Sequence, residues 1–135
     1  MVGIAKPFCE HVLEHAVINI DTDGAVIEFC AVEPEYVLRS GRIPIVTGWF
    51  TWLAMDMAAS LVLNHNNLNA LTVRTEVDFI KPYRSTNIIC HVEILDKSSD
   101  TWQIKINVHS GNLLVASAVF YMKTLKGPER NEGQR

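Results

Sequence analysis

Two hydrophobic patterns divide this chain. From Gly48 to Leu63, GWFTWLAMDMAASLVL, apolar residues recur with no polar face opposite them, which predicts a central helix covered on most sides rather than a surface helix. Gly48 opens that helix. The run Asn64, His65, Asn66, Asn67 closes it, because asparagine tolerates the left-handed conformation of a C-cap. At about 16 residues the stretch is shorter than the roughly 20 that cross a bilayer, and it carries an acid at mid-length, so no membrane span is expected.

Further along, the period changes from helical to two. Leu71, Val73, Val77 and Phe79 are predicted to share one face of a strand, with Thr72, Arg74, Glu76 and Asp78 on the other, and Pro82 ends the run. Residues 87–95 read as a covered strand. Trp102, Ile104, Ile106 and Val108 alternate with Gln103, Lys105, Asn107 and His109 in the next, and Ser110, Gly111 and Asn112 turn the chain into a last strand over 113–122. Before the long helix, residues 7–15 suit a short amphipathic helix with Phe8, Val12 and Leu13 inward. Strands at 16–20 and 25–32 flank the turn Asp21, Thr22, Asp23, Gly24, and a turn-rich loop follows over 33–43. Strands so closely spaced pair antiparallel, and a helix apolar all round is covered only if the sheet curls about it. The prediction is an α+β fold: a curved antiparallel sheet of five to six strands wrapped around one long central helix, in one domain over 1–125, with a polar, frayed tail over 126–135.

With 135 residues, 48% of them hydrophobic, the chain suffices for one substantial core. A formal net charge of -3 with scattered signs provides no basic stripe, so nucleic acid is not an expected partner. Cys9, Cys30 and Cys90 are an odd, unpaired set, and the start lacks a basic-then-apolar leader, so a reducing cytoplasm is the expected setting. The cysteines read as small buried apolar groups. His11 and His15, four apart beside Glu10 and Glu14, have a spacing a metal can use, but no third ligand is marked out. A solvated helix face is the expectation there, with no metal and no cofactor. His65 suits a helix C-terminus, and His91 and His109 fall on strands with no nucleophile beside them.

Asp56 is the sole ionisable side chain within the apolar stretch, surrounded in sequence by Trp52, Leu53, Ala59 and Leu63. A bare buried carboxylate costs several kcal/mol at least, so this one must be paired, protonated or open to a cavity. Apolar surroundings raise a carboxyl pKa toward the range useful to a general base, which makes Asp56 a candidate. The helix start at Gly48 offers free N–H groups and the positive end of the dipole, suited to a developing oxyanion. Glycine there would let a substrate approach the backbone. Asp56 lies eight residues on, a rise of about 12 Å, too far for one carbonyl carbon to touch both. If the two groups cooperate they come from different chains, which predicts a homodimer or a dimer of dimers.

The order of elements resembles the hot-dog fold, and in particular its phenylacetic-acid-degradation (PaaI-type) and related acyl-CoA thioesterases, over roughly residues 7–125. Those enzymes have His-Gly-Gly at the helix start with an Asp nine residues after the His. Here Thr47, Gly48 and Trp49 stand at that place, with Asp56 at the matching distance. They also have a later strand ending in an aromatic, two further residues and Pro, which here is Val77 to Pro82 through Phe79. The resemblance implies hydrolysis of an acyl-CoA or related acyl thioester, with Gly48 supplying the carbonyl-polarising N–H, Asp56 acting as base or nucleophile, and Thr72 holding the attacking water. Thr47, Trp49 and Trp52 would border the substrate channel, and Arg74, Lys81 and Arg84 would meet the phosphates of coenzyme A. Thr47 and Trp49 depart from the family's His and second Gly, and the loop from Arg39 to Arg42 lacks the Asn that relatives often use as a second carbonyl donor. Two other readings stand beside this one. The first is a non-catalytic acyl-thioester-binding or interaction protein on the same fold. The second is a hydroxyacyl thioester dehydratase or hydratase, whose His before the Pro and early helical acid are replaced here by Ile43 and Leu53.

Overall fold

Asp21 makes the first turn. Its Oδ1 accepts hydrogen bonds from the N–H groups of Asp23 (2.7 Å) and Gly24 (3.0 Å), while its own N–H donates to the Gly24 carbonyl at 2.9 Å. That turn joins β1 (Leu13–Ile20) to β2 (Gly24–Ala31) as an antiparallel hairpin. The computed structural model describes residues 13–32, 48–98 and 100–125. The remaining elements are the helix α1 (Gly48–His65) and four strands, β3 (Asn69–Phe79), β4 (Asn87–Lys97), β5 (Thr101–Ser110) and β6 (Leu113–Leu125). Gly111, at φ +60°, opens the two-residue turn between β5 and β6, where a side chain would be strained.

Among the described residues the strands form one six-stranded sheet in the order β1-β2-β4-β5-β6-β3, each neighbour antiparallel. The sheet curves so that α1 contacts all six strands. This is the hot-dog architecture that the element order led us to expect. Its core joins one stripe of α1 (Phe50, Ala54, Met55, Ala58, Ala59, Val62, Leu63) to the inward residues of the sheet, including Ile27, Phe29, Ile88, Ile104, Ile106, Phe120 and Met122. The helix ends as anticipated. Asn67 is left-handed at φ 61°, the Leu68 N–H donates to the Leu63 carbonyl, and the Asn67 N–H donates to the Asn64 carbonyl, both at 2.9 Å.

Three expectations need correction. Leu13, Glu14 and His15 belong to β1 rather than to a first helix; the rest of that expected helix, with Cys9 and His11, lies outside the described residues. These three residues lie at the end of the hairpin away from its turn, where their backbone groups find partners in Phe29, Cys30 and Ala31 of β2. Secondly, the helix is not covered on most sides within one chain. The sheet buries one stripe, whereas Trp49, Trp52, Leu53, Asp56, Met57 and Ser60 on the opposite side keep part of their surface open. Thirdly, β3 does not alternate as its sequence suggests. A bulge places Thr72 opposite Met122 and Arg74 opposite Tyr121, leaving Val73 as the extra residue. Before the bulge the even residues Ala70 and Thr72 turn toward the helix, and after it the odd residues Thr75 and Val77 do. Leu71 and Val73, expected to share a face with Val77, lie instead on the opposite one and are 57% and 59% exposed. The loop over 33–47, with Thr47, and the tail over 126–135 lie outside the described residues.

Candidate functional site

The bulge in β3 assembles the site. With strict alternation, Thr72 would lie on the same face as Arg74, Glu76 and Asp78, away from the helix. The extra residue re-aims it, and the Thr72 hydroxyl donates to Asp56 Oδ1 at 2.9 Å. Its oxygen also lies 3.0 Å from Met122 Sδ, on the neighbouring strand β6. Asp56 is half-buried on the partly open side of α1, so its second carboxylate oxygen remains available to a water or a substrate. Burial holds the carboxyl pKa above its ordinary value of 3.8, and the Thr72 hydrogen bond, which favours the charged form, opposes part of that rise. The acid is thus neither sealed in the core nor in bulk solvent.

One helical turn further on, a cleft of about 190 Å³ lies between α1 and the start of β3. Its walls are Ser60, Leu63, Asn64, Asn69 and Ala70. Ser60 and Asn64 follow Asp56 at intervals of four along one side of the helix, and Ala70 precedes Thr72 on the same face of β3, so the cleft adjoins the Asp56–Thr72 pair.

At the helix start, the space a side chain at Gly48 would take is filled from β3. A Cβ there would sit 3.2 Å from Phe79 Cζ and 3.3 Å from Cε1. The ring therefore packs closely on this glycine, and a side chain there would have to push it aside by a few tenths of an ångström, while Gly48 itself stays exposed. Trp49 packs edge-on to Phe50 with ring centroids 6.5 Å apart, and Trp52 lies 6.0 Å from Phe120. Trp49 remains 36% exposed beside the helix start.

The expected basic residues are placed apart. Arg74 bonds to Glu76 and lies 5.0 Å over the Tyr121 ring, on the face of the sheet opposite to Asp56. Lys81 and Arg84 are exposed in the segment between β3 and β4. His91 and His109 meet on the outer face, with ring centroids 4.9 Å apart. Among the described residues no three His, Cys, Asp or Glu side chains are grouped as a metal site requires, and no helix is long and apolar enough to cross a membrane.

One further pair anchors the site, and the sequence carried no mark of it beyond an aromatic after Pro82. The hydroxyls of Thr51 and Tyr83 lie 2.5 Å apart, both residues buried. Burial pushes the Tyr83 pKa up to about 12, so the phenol is neutral under ordinary conditions and can hold this bond. It ties the first turn of α1 to the segment after β3. Tyr83→Phe is expected to leave the Thr51 hydroxyl without this partner and to lower stability by about 1–2 kcal/mol, read from urea unfolding with an unchanged m-value.

No protein-family model matches the sequence, and no curated protein matches it. Solved structures do match by fold. A hypothetical thioesterase protein from Streptococcus pneumoniae, solved with coenzyme A, aligns with a TM-score of 0.73 at 14% identity, over 83% of this chain and 86% of that one. Two further structures of that protein carry alanine in place of an aspartate and of a threonine sixteen residues later. The smu.793 protein of Streptococcus mutans, bound to acetyl-CoA, gives 0.72 at 13% identity over 83% and 89% of the two chains. A variant of the phenylacetic acid degradation protein PaaI from Thermus thermophilus gives 0.70 at 20% identity, over 89% and 100%. At such identities the likeness shows a shared fold, the hot-dog fold.

Proposed function

We propose that this chain hydrolyses an acyl-CoA or related acyl thioester at a site shared between two subunits. The observation that carries this reading is the half-buried carboxyl of Asp56, raised in pKa and held by Thr72 at 2.9 Å, beside a cleft large enough for a small acyl group. Asp56 acts as base toward water or as nucleophile toward the carbonyl carbon, and Thr72 orients the carboxylate and the attacking water. Coenzyme A and acetyl-CoA bound to structures of the same fold support the substrate class. The sixteen-residue separation of Asp56 and Thr72 equals that of the aspartate and threonine replaced in the Streptococcus pneumoniae protein, which supports the choice of this pair.

The carbonyl donor comes from the partner. Within one chain the start of α1 is about 12 Å from Asp56 along the helix axis. β3 is an edge strand of the sheet, with exposed Leu71, Val73, Phe79 and Ile80 along or just past it. Pairing two copies of β3 antiparallel about a two-fold axis covers that edge and lays the Thr72 end of one strand against the partner's Phe79 end. The helix start packed on the partner's Phe79 then faces Asp56, and its free N–H groups polarise the thioester carbonyl. Lys81 and Arg84, exposed just beyond this strand, would meet the coenzyme A phosphates.

The test is to incubate the purified protein with a panel of acyl-CoAs and to follow free thiol. Release of thiol is expected; binding of the thioesters without release would instead identify a non-catalytic acyl-thioester-binding protein. If Thr72 favours the ionised carboxylate, Thr72→Val should shift the acid limb of the kcat/KM profile to higher pH, because removing its hydrogen bond lets burial raise the Asp56 pKa further. A profile unmoved by that substitution would separate Thr72 from Asp56.

A further inference from the structure

We infer that Phe79 is a positioning residue, which holds the carbonyl-polarising start of α1 in fixed register with the edge strand β3. This rests on the reading of the site as a two-chain thioesterase, and it assigns a role that neither Asp56 nor Thr72 can supply. The observation is steric. The ring presents its tip to Gly48, with Cζ 3.2 Å and Cε1 3.3 Å from where a Cβ would stand, closer than ordinary van der Waals contact, so the ring occupies the notch left by the missing side chain. Within one chain Phe79 is 57% exposed, so it is not part of that chain's own core.

Phe79 is also the last residue of β3, so one side chain joins the edge of the sheet to the first residue of the helix. Two connections then fix where the donor amides lie. The Thr51–Tyr83 hydrogen bond fastens the first helical turn from the inner side, and the Phe79 ring sets the spacing between helix and edge strand from the outer side. Across a two-fold axis built on β3, a displacement of the helix start relative to its own strand becomes an equal displacement relative to the partner's Asp56. Oxyanion donors are sensitive to such shifts: a misplacement of about 1 Å can cost on the order of a hundredfold in rate. Phe79 therefore governs kcat more than substrate affinity, although it does not touch the reacting atoms.

A mutant cycle tests this. Gly48→Ala inserts a methyl 3.2 Å from the ring tip and presses the ring away from the helix start, and Phe79→Leu empties part of the notch; each is expected to lower kcat about tenfold with KM little changed. Combined, the shorter leucine leaves room for the methyl, so the double variant should be no slower than either single one rather than about a hundredfold slower. Phe79→Tyr, though closest in shape, adds a hydroxyl at the tip that points into Gly48 and should slow turnover more than Phe79→Leu. In parallel, ring-current displacement of the Gly48 α-proton resonances should be present in the wild type and vanish in Phe79→Leu. Multiplicative rate losses, or wild-type kcat in Phe79→Leu, would overturn the assignment. A wild-type protein that releases thiol from no acyl-CoA would instead overturn the hydrolase reading itself, with the resonance measurement still reporting on the contact.

Discussion

Asp56→Asn is expected to lower thioester turnover by about 10²–10⁴-fold, the usual contribution of a positioned acid or base, while making the protein harder to melt at neutral pH. The two effects have one origin. Burial raises the Asp56 pKa above its ordinary 3.8, so the folded protein holds this proton more tightly than the unfolded chain does. The stabilising contribution of such a group is fully present below the unfolded value of 3.8 and is lost as the pH rises through the raised folded value. At neutral pH the ionised carboxylate is therefore a burden on the fold, lightened but not removed by the Thr72 hydroxyl. Asparagine has nearly the same shape and never ionises, so the variant gains melting temperature near neutrality. That gain should shrink as the pH is lowered and Asp56 itself becomes neutral. Calorimetry at several pH values beside thiol-release rates checks both halves; a variant that turns over normally would remove Asp56 from the mechanism. A destabilising acid kept beside a cleft, at the expense of the fold, is the pattern expected of a functional group.

Mixing two inactive chains should restore activity. Asp56→Asn keeps its helix start but lacks the carboxylate; Gly48→Val keeps Asp56 but sets a branched side chain against the Phe79 ring, which is expected to disturb the helix start and crowd its N–H groups. If each site takes its acid from one subunit and its carbonyl donor from the other, a mixed dimer contains one complete site and one doubly damaged site. Random reassortment makes half of the dimers mixed, so the mixture should reach about a quarter of wild-type activity while each variant alone remains near zero. A site built within one chain gives no recovery, because neither chain carries a complete set. If the site is shared in this way, the same preparation should sediment as a dimer of the 15.2 kDa chain, because pairing of the two β3 edges would complete it.

The sequence and the structure part company at particular residues. Asp56 was legible as a candidate because it is the sole ionisable side chain in a largely apolar stretch of sixteen residues, and its distance from Gly48 led us to expect that any cooperation between them joins two chains. Thr72 was legible only through resemblance. Its own strand pattern grouped it with Arg74, Glu76 and Asp78, since alternation cannot register one inserted residue, and the bulge at Val73 is set by pairing with β6. Gly48 stood out for its missing bulk, and the structure adds that the tip of the Phe79 ring, thirty-one residues away, packs against it. Tyr83 left no trace, because a single aromatic after a proline looks the same whether it is buried against Thr51 or lies on a surface.

What the sequence by itself determined was the set of elements and their class. One apolar helix, strands that alternate with period two, and turns at Asp21–Gly24 and Ser110–Asn112 follow from local rules that act within a few residues. What only the tertiary structure decided was which side chains meet. The Asp56–Thr72 bond, the Phe79 ring in the Gly48 notch and the half-open side of α1 all depend on how far-separated segments register across a curved sheet. A one-residue slip there reverses a face while leaving every local pattern intact.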